Sequence, residues 1–478
     1  MTIAFIASEV YPYSKTGGLA DIAHFLPLGI KEQNHDVIVV TPYYRDIAKY
    51  HHQMTYIGRK TIYMGGIQTD VNYFSLNQDG IQIIFIQNMH YFERDRLYGY
   101  NDDAERFVCF SFAALELFTI LNKKPEILHL NDWQTGMIPY LLKKHYDHID
   151  YFKQMKTILT IHNLEYQGNF DPYVSRFFNT NFDYSYIHFE RVNFLKAGIE
   201  LANKITTVSP NYREEILTPQ YGFTLDGALQ YRKDDLIGIL NGIDYHSFHP
   251  NRDKLITKYN YETYKKGKTD NKKQVYERFN LGTNYDVPFV VYIGRYANQK
   301  GLWMIKDTVE GVIANTNAMF FFLGSGDPEY SNYFKFLTDK YPNRVGNYIG
   351  YNEALAHELY AASDIFMMPS EFEPCGLGQM IAMTYGSLPI VRETGGLKDT
   401  VKPYNKFTHE GTGFSFSNLS SLEFKEKLYE AISLYNQQPK TWQKLIQQAM
   451  HTDFSNQNMS IKYIELYNKI LEDSLWKH

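Results

Sequence analysis

Cysteine is nearly absent from this chain: Cys109 and Cys375 are the only two in 478 residues. That excludes a disulfide framework and a cysteine-built zinc site. Basic residues are not in excess either, with 48 Lys and Arg against 53 Asp and Glu and a net charge of −5. Nothing in that balance calls for nucleic acid or an anionic membrane as a partner. No apolar run approaches the ~18 residues of a membrane span. The opening MTIAFIASEV lacks a basic leader and reads as a strand rather than a signal peptide. A reducing, cytoplasmic setting is the expectation. Tryptophan is scarce (4) beside 41 Tyr and 32 Phe. Tyrosine suits sugar rings, with an apolar face and a hydroxyl, but bulky aromatics are also ordinary core material.

The length exceeds the ~250–300 residues at which a single core stops growing, so two domains are expected. The most informative stretch runs from Ala361 to Val401. An apolar strand (Ile365 to Met368) meets a proline, and a glycine-rich turn with Glu371, Glu373 and Cys375 leads back to helical spacing from Gln379. A second strand (Leu388 to Val391) then runs into Thr394-Gly395-Gly396 and a helix whose first turn is expected to hold Asp399. Strand, loop and helix in succession place such loops at one end of a parallel sheet, where α/β proteins bind ligands. The first half carries an echo: residues 15–21 read KTGGLAD and residues 393–399 read ETGGLKD. Each frame is expected to present backbone N–H groups at a helix start to a ligand.

In chain order, Ile3 to Ala7 is a strand, and Lys15, Gly17 and Gly18 follow on its loop. A cation beside free N–H groups is what a phosphate needs. Asp21 falls in the next helix's first turn, where a dipole role is as good an account as a functional one. Residues 56–86 read as strands joined by glycine turns, and Tyr91 to Asp103 as an exposed aromatic loop near a site. The strands Glu126 to Leu130 and Thr157 to Ile161 end on Asp132 and on His162-Asn163. Residues 241–245 (NGIDY, with Asn241) mark the interdomain region, and 251–275 form a polar tract without apolar period. In the second half Arg295 and Lys300 share one strand-to-helix loop. Ile461, Ile464, Tyr467, Ile470 and Leu471 make the stripe of a terminal helix. Gly267-Lys268-Thr269 looks like the end of a phosphate-binding P-loop, but Glu262 stands where its first glycine belongs. No Asp-x-Asp occurs, which removes the usual metal anchor of single-domain nucleotide-sugar transferases, so no metal or other cofactor is expected.

EVYPYSKTGGLAD (9–21), TTVSPNY (206–212) with Glu215-Ile216, ILNGID, GRYANQKGL (294–302) and the 369–401 stretch together resemble the bacterial glycogen synthases, ADP-glucose-dependent relatives of the starch synthases. The likeness spans nearly the whole chain in order. It implies an α/β architecture of two Rossmann-like domains facing a central cleft, the GT-B fold. The N-terminal domain would be residues 1–240, on the acceptor side, and the C-terminal domain residues 241–458, on the nucleotide-sugar side, with a helix (459–478) returning to pack on the first. It also implies glucose transfer from ADP-glucose to the nonreducing end of an α-1,4-glucan such as glycogen, with retained configuration and release of ADP.

The residue chemistry agrees with that reaction. A departing diphosphate calls for fixed cations and N–H dipoles, which Arg295, Lys300, Gly18 and the Thr394-Gly395-Gly396 turn can supply. Glu373, Asp132 and His162 are candidates to hold sugar hydroxyls and face an oxocarbenium-like cation. The resemblance adds Lys15 and Glu9, with Glu9 on the acceptor side. It also adds Cys375 as a position that holds sugar through nearby backbone. Gly17, Asp21, Asn163, Asn241, Gly376 and Leu377 complete the candidate substrate-binding set. Three departures stand out. Asn131 replaces the second histidine of a His-x-His-Asp-Trp pattern, and Trp303 replaces a small acidic residue. Ile381 stands where wider retaining transferases carry a second glutamate. The rival readings are another retaining nucleotide-sugar transferase and a non-catalytic glucan-binding protein of the same fold.

Overall fold

A computed structural model describes residues 1–121, 123–178 and 183–475. The chain forms two compact units, Met1–Gly242 with Asn456–His478, and Ile243–Ser455.

The first unit is built on a nine-stranded sheet. Its strands are β1 (Thr2–Ile6), β2 (Asp36–Pro42), β3 (Thr55–Met64), β4 (Ile67–Gln78), β5 (Ile81–Gln87), β6 (Ile127–Asn131) and β7 (Lys156–Ile161). After three short strands in a separate sheet, β8 (Asn169–Phe170), β9 (Ile187–His188) and β10 (Arg191–Asn193), come β11 (Lys204–Thr207) and β12 (Leu236–Gly238). The order across the large sheet is β12-β11-β7-β6-β1-β2-β5-β4-β3. Only the β3–β4 and β4–β5 pairings are antiparallel. The parallel strands are buried on both faces and so read as short, mostly apolar runs. β1 lies at the centre, with β2 on one side and β6 on the other. The chain reverses its direction of travel across the sheet there, and the loops after β1 and β6 open at the resulting crevice.

The helix Asn456–Leu475 lies on the helix Gly18–Glu32. Gly29 permits the contact, since a Cβ there would come within 2.9 Å of Ser460 Cβ, and Asn456 Nδ2 donates to the Phe25 carbonyl at 3.3 Å. The buried stripe is Met459, Tyr463, Leu466, Tyr467 and Ile470, while Ile461 is exposed. The stripe is thus rotated from the apolar one that periodicity gives, because two tyrosine hydroxyls are drawn inward. Tyr467 bonds His129 Nδ1 at 2.6 Å, and Tyr463 approaches Thr160 and Thr206 at 3.5 and 3.4 Å.

The second unit holds β13 (Phe289–Ile293), β14 (Met319–Gly324), β15 (Val345–Ile349), β16 (Ile365–Met368), β17 (Leu388–Arg392) and β18 (Phe414–Phe416), all parallel, in the order β15-β14-β13-β16-β17-β18. The polar tract is not structureless, since Tyr264–Arg278 is a helix. Its buried side includes two lysines that a hydrophobicity count scores as exposed. Lys272 pairs with Asp364 at 2.7 Å, and Lys268 donates to the carbonyls of Ala361 and Tyr385. Burial lowers Lys268 to about 7. Among the described residues no helix is long and apolar enough to cross a membrane.

His129 is fully enclosed, its Nε2 meeting Thr160 Oγ1 at 2.6 Å, and burial pushes it down to about 3, with His162 adding to the effect. Its ordinary value is ~6.5. Between those two values the unfolded chain binds a proton that the folded chain does not, so stability falls as pH falls through that window. The slope for one residue is at most about 1.4 kcal/mol per pH unit. His129→Gln is expected to flatten the dependence of urea-unfolding free energy on pH across this window. Equal slopes for the variant and the unchanged protein would refute the assignment.

Candidate active site

At the end of β1 the chain turns through Ser8 to Gly17, and Glu9 organises the turn. Its buried carboxylate accepts from Thr16 N (2.6 Å), Thr16 Oγ1 (2.5 Å), Gly17 N (3.3 Å) and Tyr98 Oη (2.8 Å). The Gly17 amide is therefore committed to Glu9 and not free for a ligand. Lys15 pairs with Asp21 at 2.7 Å. A Cβ on Gly17 or Gly18 would meet nothing within 4 Å, so the backbone here stays approachable. Tyr91–Asp103 is less open than its composition reads. Tyr91 and Phe92 are buried, and the fully buried Arg106 donates to the carbonyls of Tyr91 and Leu97 and to Asp103.

β6 and β7 pair in parallel with Asn131 beside Thr160, which sets their ends next to each other. Asp132 follows with φ 55° and ψ −172°, a conformation that non-glycine residues adopt only at a cost of ~1–3 kcal/mol and that clusters at functional sites. It is held there by its own N–H on Thr160 O (2.9 Å) and by its carboxylate, which accepts from His162 N (2.7 Å) and from Asn163 N. Burial raises Asp132 to about 7 against the pull of those two N–H groups, and the negative Glu9 adds to the rise. Burial moves His162 the other way, down to about 3, so its ring is neutral. Its Nε2 lies 2.9 Å from Asn131 Oδ1. Asn131 is fully buried; at this position the side chain braces His162 instead of reaching an acceptor. Asn241, buried at the end of the first unit, makes no side-chain hydrogen bond among the described residues.

In the second unit two strand-end loops are laced together. Gln299 O accepts from Glu371 N (2.8 Å), Gln299 Nε2 donates to Phe372 O (3.2 Å), and the Trp303 indole donates to Glu371 Oε1 (2.6 Å). Gly301 has φ 69°, and a Cβ there would overlap the Pro369 carbonyl. Across this seam Lys300 Nζ meets Glu373 Oε2 at 2.6 Å, and Ser370 Oγ donates to the same oxygen at 3.0 Å. The structure thus joins two residues to which the sequence assigns opposite charges on a substrate. Arg295 stands apart from the pair: its guanidinium is exposed and makes no ion pair or hydrogen bond among the described residues. Arg392, which sequence reasoning passes over, is buried and donates to the carbonyls of Ser370, Glu371 and Ser417. A lone arginine at the end of an otherwise apolar strand was the available signal.

Thr394-Gly395-Gly396 lies against this loop. Gly396 N donates to the carbonyls of Glu373 (3.2 Å) and Pro374 (3.1 Å), so its N–H is also spent on the loop. The helix beyond is short, Gly395–Thr400, and Asp399 falls near its end rather than in its first turn. Gly376 has φ 74°, Leu377 precedes the helix Gly378–Thr384, and Cys375 is buried beside Gly396.

Two units, each with a largely parallel sheet whose strand-end loops carry the candidate residues, have the architecture of a glycosyltransferase of the GT-B class. Residues 2–231 match the starch synthase catalytic domain family, and residues 274–451 match the glycosyl transferases group 1 family. The chain is 59% identical to a glycogen synthase of Acholeplasma laidlawii, over 99% of this chain and 100% of that protein. It is 43% identical to one of Exiguobacterium sibiricum, over 98% and 99%. The catalytic domain of starch synthase IV from Arabidopsis thaliana, solved with ADP and acarbose, superposes with TM-score 0.90 at 32% identity, covering 98% of this chain and 99% of that one. A sucrose-phosphate synthase from Thermosynechococcus elongatus shares the fold, with TM-score 0.65 at 18% identity over 99% of both chains. The chain belongs to the glycogen synthase family.

Gly395 has φ 42°, and a Cβ there would overlap the Glu373 carbonyl oxygen; Gly17 is extended and unobstructed. Gly395→Ala is expected to lower stability by ~1–3 kcal/mol or more, and Gly17→Ala to stay within ~0.5 kcal/mol. Melting curves of the two variants check this, and equal melting temperatures would contradict it.

Proposed function

We propose that this protein elongates an α-1,4-glucan of the glycogen type. It transfers glucose from ADP-glucose to the nonreducing end with retained configuration and releases ADP. The observation that carries the reading is the 59% identity to a glycogen synthase across both full lengths. Bond breaking sends negative charge to the departing diphosphate and leaves positive charge on the sugar. Arg295, whose exposed guanidinium makes no ion pair or hydrogen bond among the described residues, is suited to the diphosphate, and the paired Lys300 gains a second anion when the donor arrives. Glu373, steadied by Lys300 and Ser370, supplies negative charge for the sugar side, and Asp132, held by two backbone N–H groups, offers its carboxyl to the sugar hydroxyls. His162 and Asn163 contribute polar contacts to the glucosyl group, and Glu9 shapes the loop bearing Lys15, Gly17 and Gly18. We place the enzyme in the cytoplasm, where thiols such as the buried Cys109 and Cys375 stay reduced.

Labelled ADP-glucose and UDP-glucose, each incubated with glycogen and the purified protein, test the reading. ADP-glucose is expected to give more label in polymer, and equal incorporation would remove the donor assignment. Activity is expected to survive EDTA, since no Asp-x-Asp anchor is present. Arg295→Ala and Lys300→Ala are each expected to lower turnover at saturating donor by roughly 10²–10³, the scale of a lost preorganised charge stabiliser, with glycogen binding unchanged. Near-normal turnover in folded variants would remove Arg295 and Lys300 from the diphosphate, whereas no turnover in the unchanged protein would favour the glucan-binding rival.

A further inference from the structure

The side chain of Asn131 is fully buried, and its two ends are not interchangeable. Nδ2 donates to the Ile6 carbonyl at 3.0 Å and to the His129 carbonyl at 3.4 Å. Turned over, the amide would press its oxygen against two carbonyl oxygens, so the neighbouring backbone fixes its orientation. The backbone of Asn131 is fixed as well: its N–H donates to Thr135 Oγ1 at 2.8 Å, and that hydroxyl donates back to Asn131 O at 3.0 Å. Oδ1 is therefore the end that faces His162 Nε2 at 2.9 Å. An amide oxygen only accepts, so Nε2 must carry the proton.

We propose that Asn131 is a positioning residue that locks His162 in its Nε2–H tautomer, leaving Nδ1 able to accept a hydrogen bond from a sugar hydroxyl but not to donate one. Nδ1 has no protein partner among the described residues, and His162 is half-buried rather than sealed, so this nitrogen is the one left to a ligand. The ring is neutral because burial opposes its protonation. A histidine at position 131, as in the His-x-His-Asp-Trp pattern, could offer His162 either a donor or an acceptor and would not impose one tautomer. An asparagine held by two carbonyls removes that choice. The functional half of the inference rests on the reading of His162 as a residue that touches the glucosyl group.

The test uses the full chain labelled with ¹⁵N-histidine, with the His162 ring signals assigned by their loss in His162→Gln. The expected spectrum of the unchanged protein has a proton on Nε2 and an unprotonated, pyridine-like Nδ1. In Asn131→Leu, which removes the acceptor, the two tautomers are expected to mix. Turnover at saturating ADP-glucose is expected to fall roughly tenfold, the scale of lost orienting partners around a functional imidazole. Asn131→His, a residue this pattern accommodates, supplies the same comparison if Asn131→Leu does not fold. An Nδ1–H or mixed ring in the unchanged protein overturns the inference, and so does normal turnover in a variant whose tautomers have mixed. If the unchanged protein makes no glucan, the proposed function fails while the ring spectrum still decides the tautomer.

Discussion

Wherever a parallel strand stops at the carboxyl edge of its sheet, backbone N–H and C=O groups lose their ladder partners, and burying them unpaired is costly. In both units charged and amide side chains meet much of that demand. The Glu9 carboxylate takes the N–H groups of Thr16 and Gly17, and Asp132 takes those of His162 and Asn163. Arg392 gathers the carbonyls of Ser370, Glu371 and Ser417, and Asn131 those of Ile6 and His129. Loops satisfied in this way are rigid at the positions from which chemistry is done, and rigidity there is what electrostatic catalysis requires.

The same economy explains the two Thr-Gly-Gly frames. Their repetition is real, but close approach accounts only for the glycines of the second frame, since a Cβ on Gly17 or Gly18 would meet nothing within 4 Å. In one unit the turn closes on a glutamate side chain, and in the other Gly396 closes on a glutamate carbonyl. Lys300 and Glu373 belong to one ion pair, so neither charge acts alone. An anion that drew Lys300 toward itself would also loosen its hold on Glu373.

Much of this was legible in the sequence because parallel strands buried on both faces read as short apolar runs, and their carboxyl ends were marked by Asp132, His162, Arg295 and Glu373. The turns at Gly65-Gly66 and Asp79-Gly80 and the strands between them were legible too, since each turn needs positive φ at both residues, which glycine and, at Asp79, aspartate adopt. What escaped were side chains whose burial contradicts their chemistry. The helix Tyr264–Arg278 was hidden because Lys268 and Lys272 point inward to carbonyls and to Asp364, and Arg392, passed over just beyond the apolar run Leu388 to Val391, anchors a loop through three carbonyls. The terminal helix was legible as a helix, yet its buried side was misjudged because tyrosine hydroxyls sought partners that periodicity cannot see. The partnership of Asn131 and His162 joins two strands and was visible only once their register was known.

The helix Asn456–Leu475 has a consequence for how the chain is made. Ile243–Ser455 is contiguous and holds all of its own sheet as soon as it leaves the ribosome. The first unit, although synthesised earlier, lacks Tyr463 and Tyr467 until the helix that bears them emerges, and until then the hydroxyl partner of His129 Nδ1 is missing. Domains commonly fold in the order of synthesis. Here the unit translated first is the one completed last.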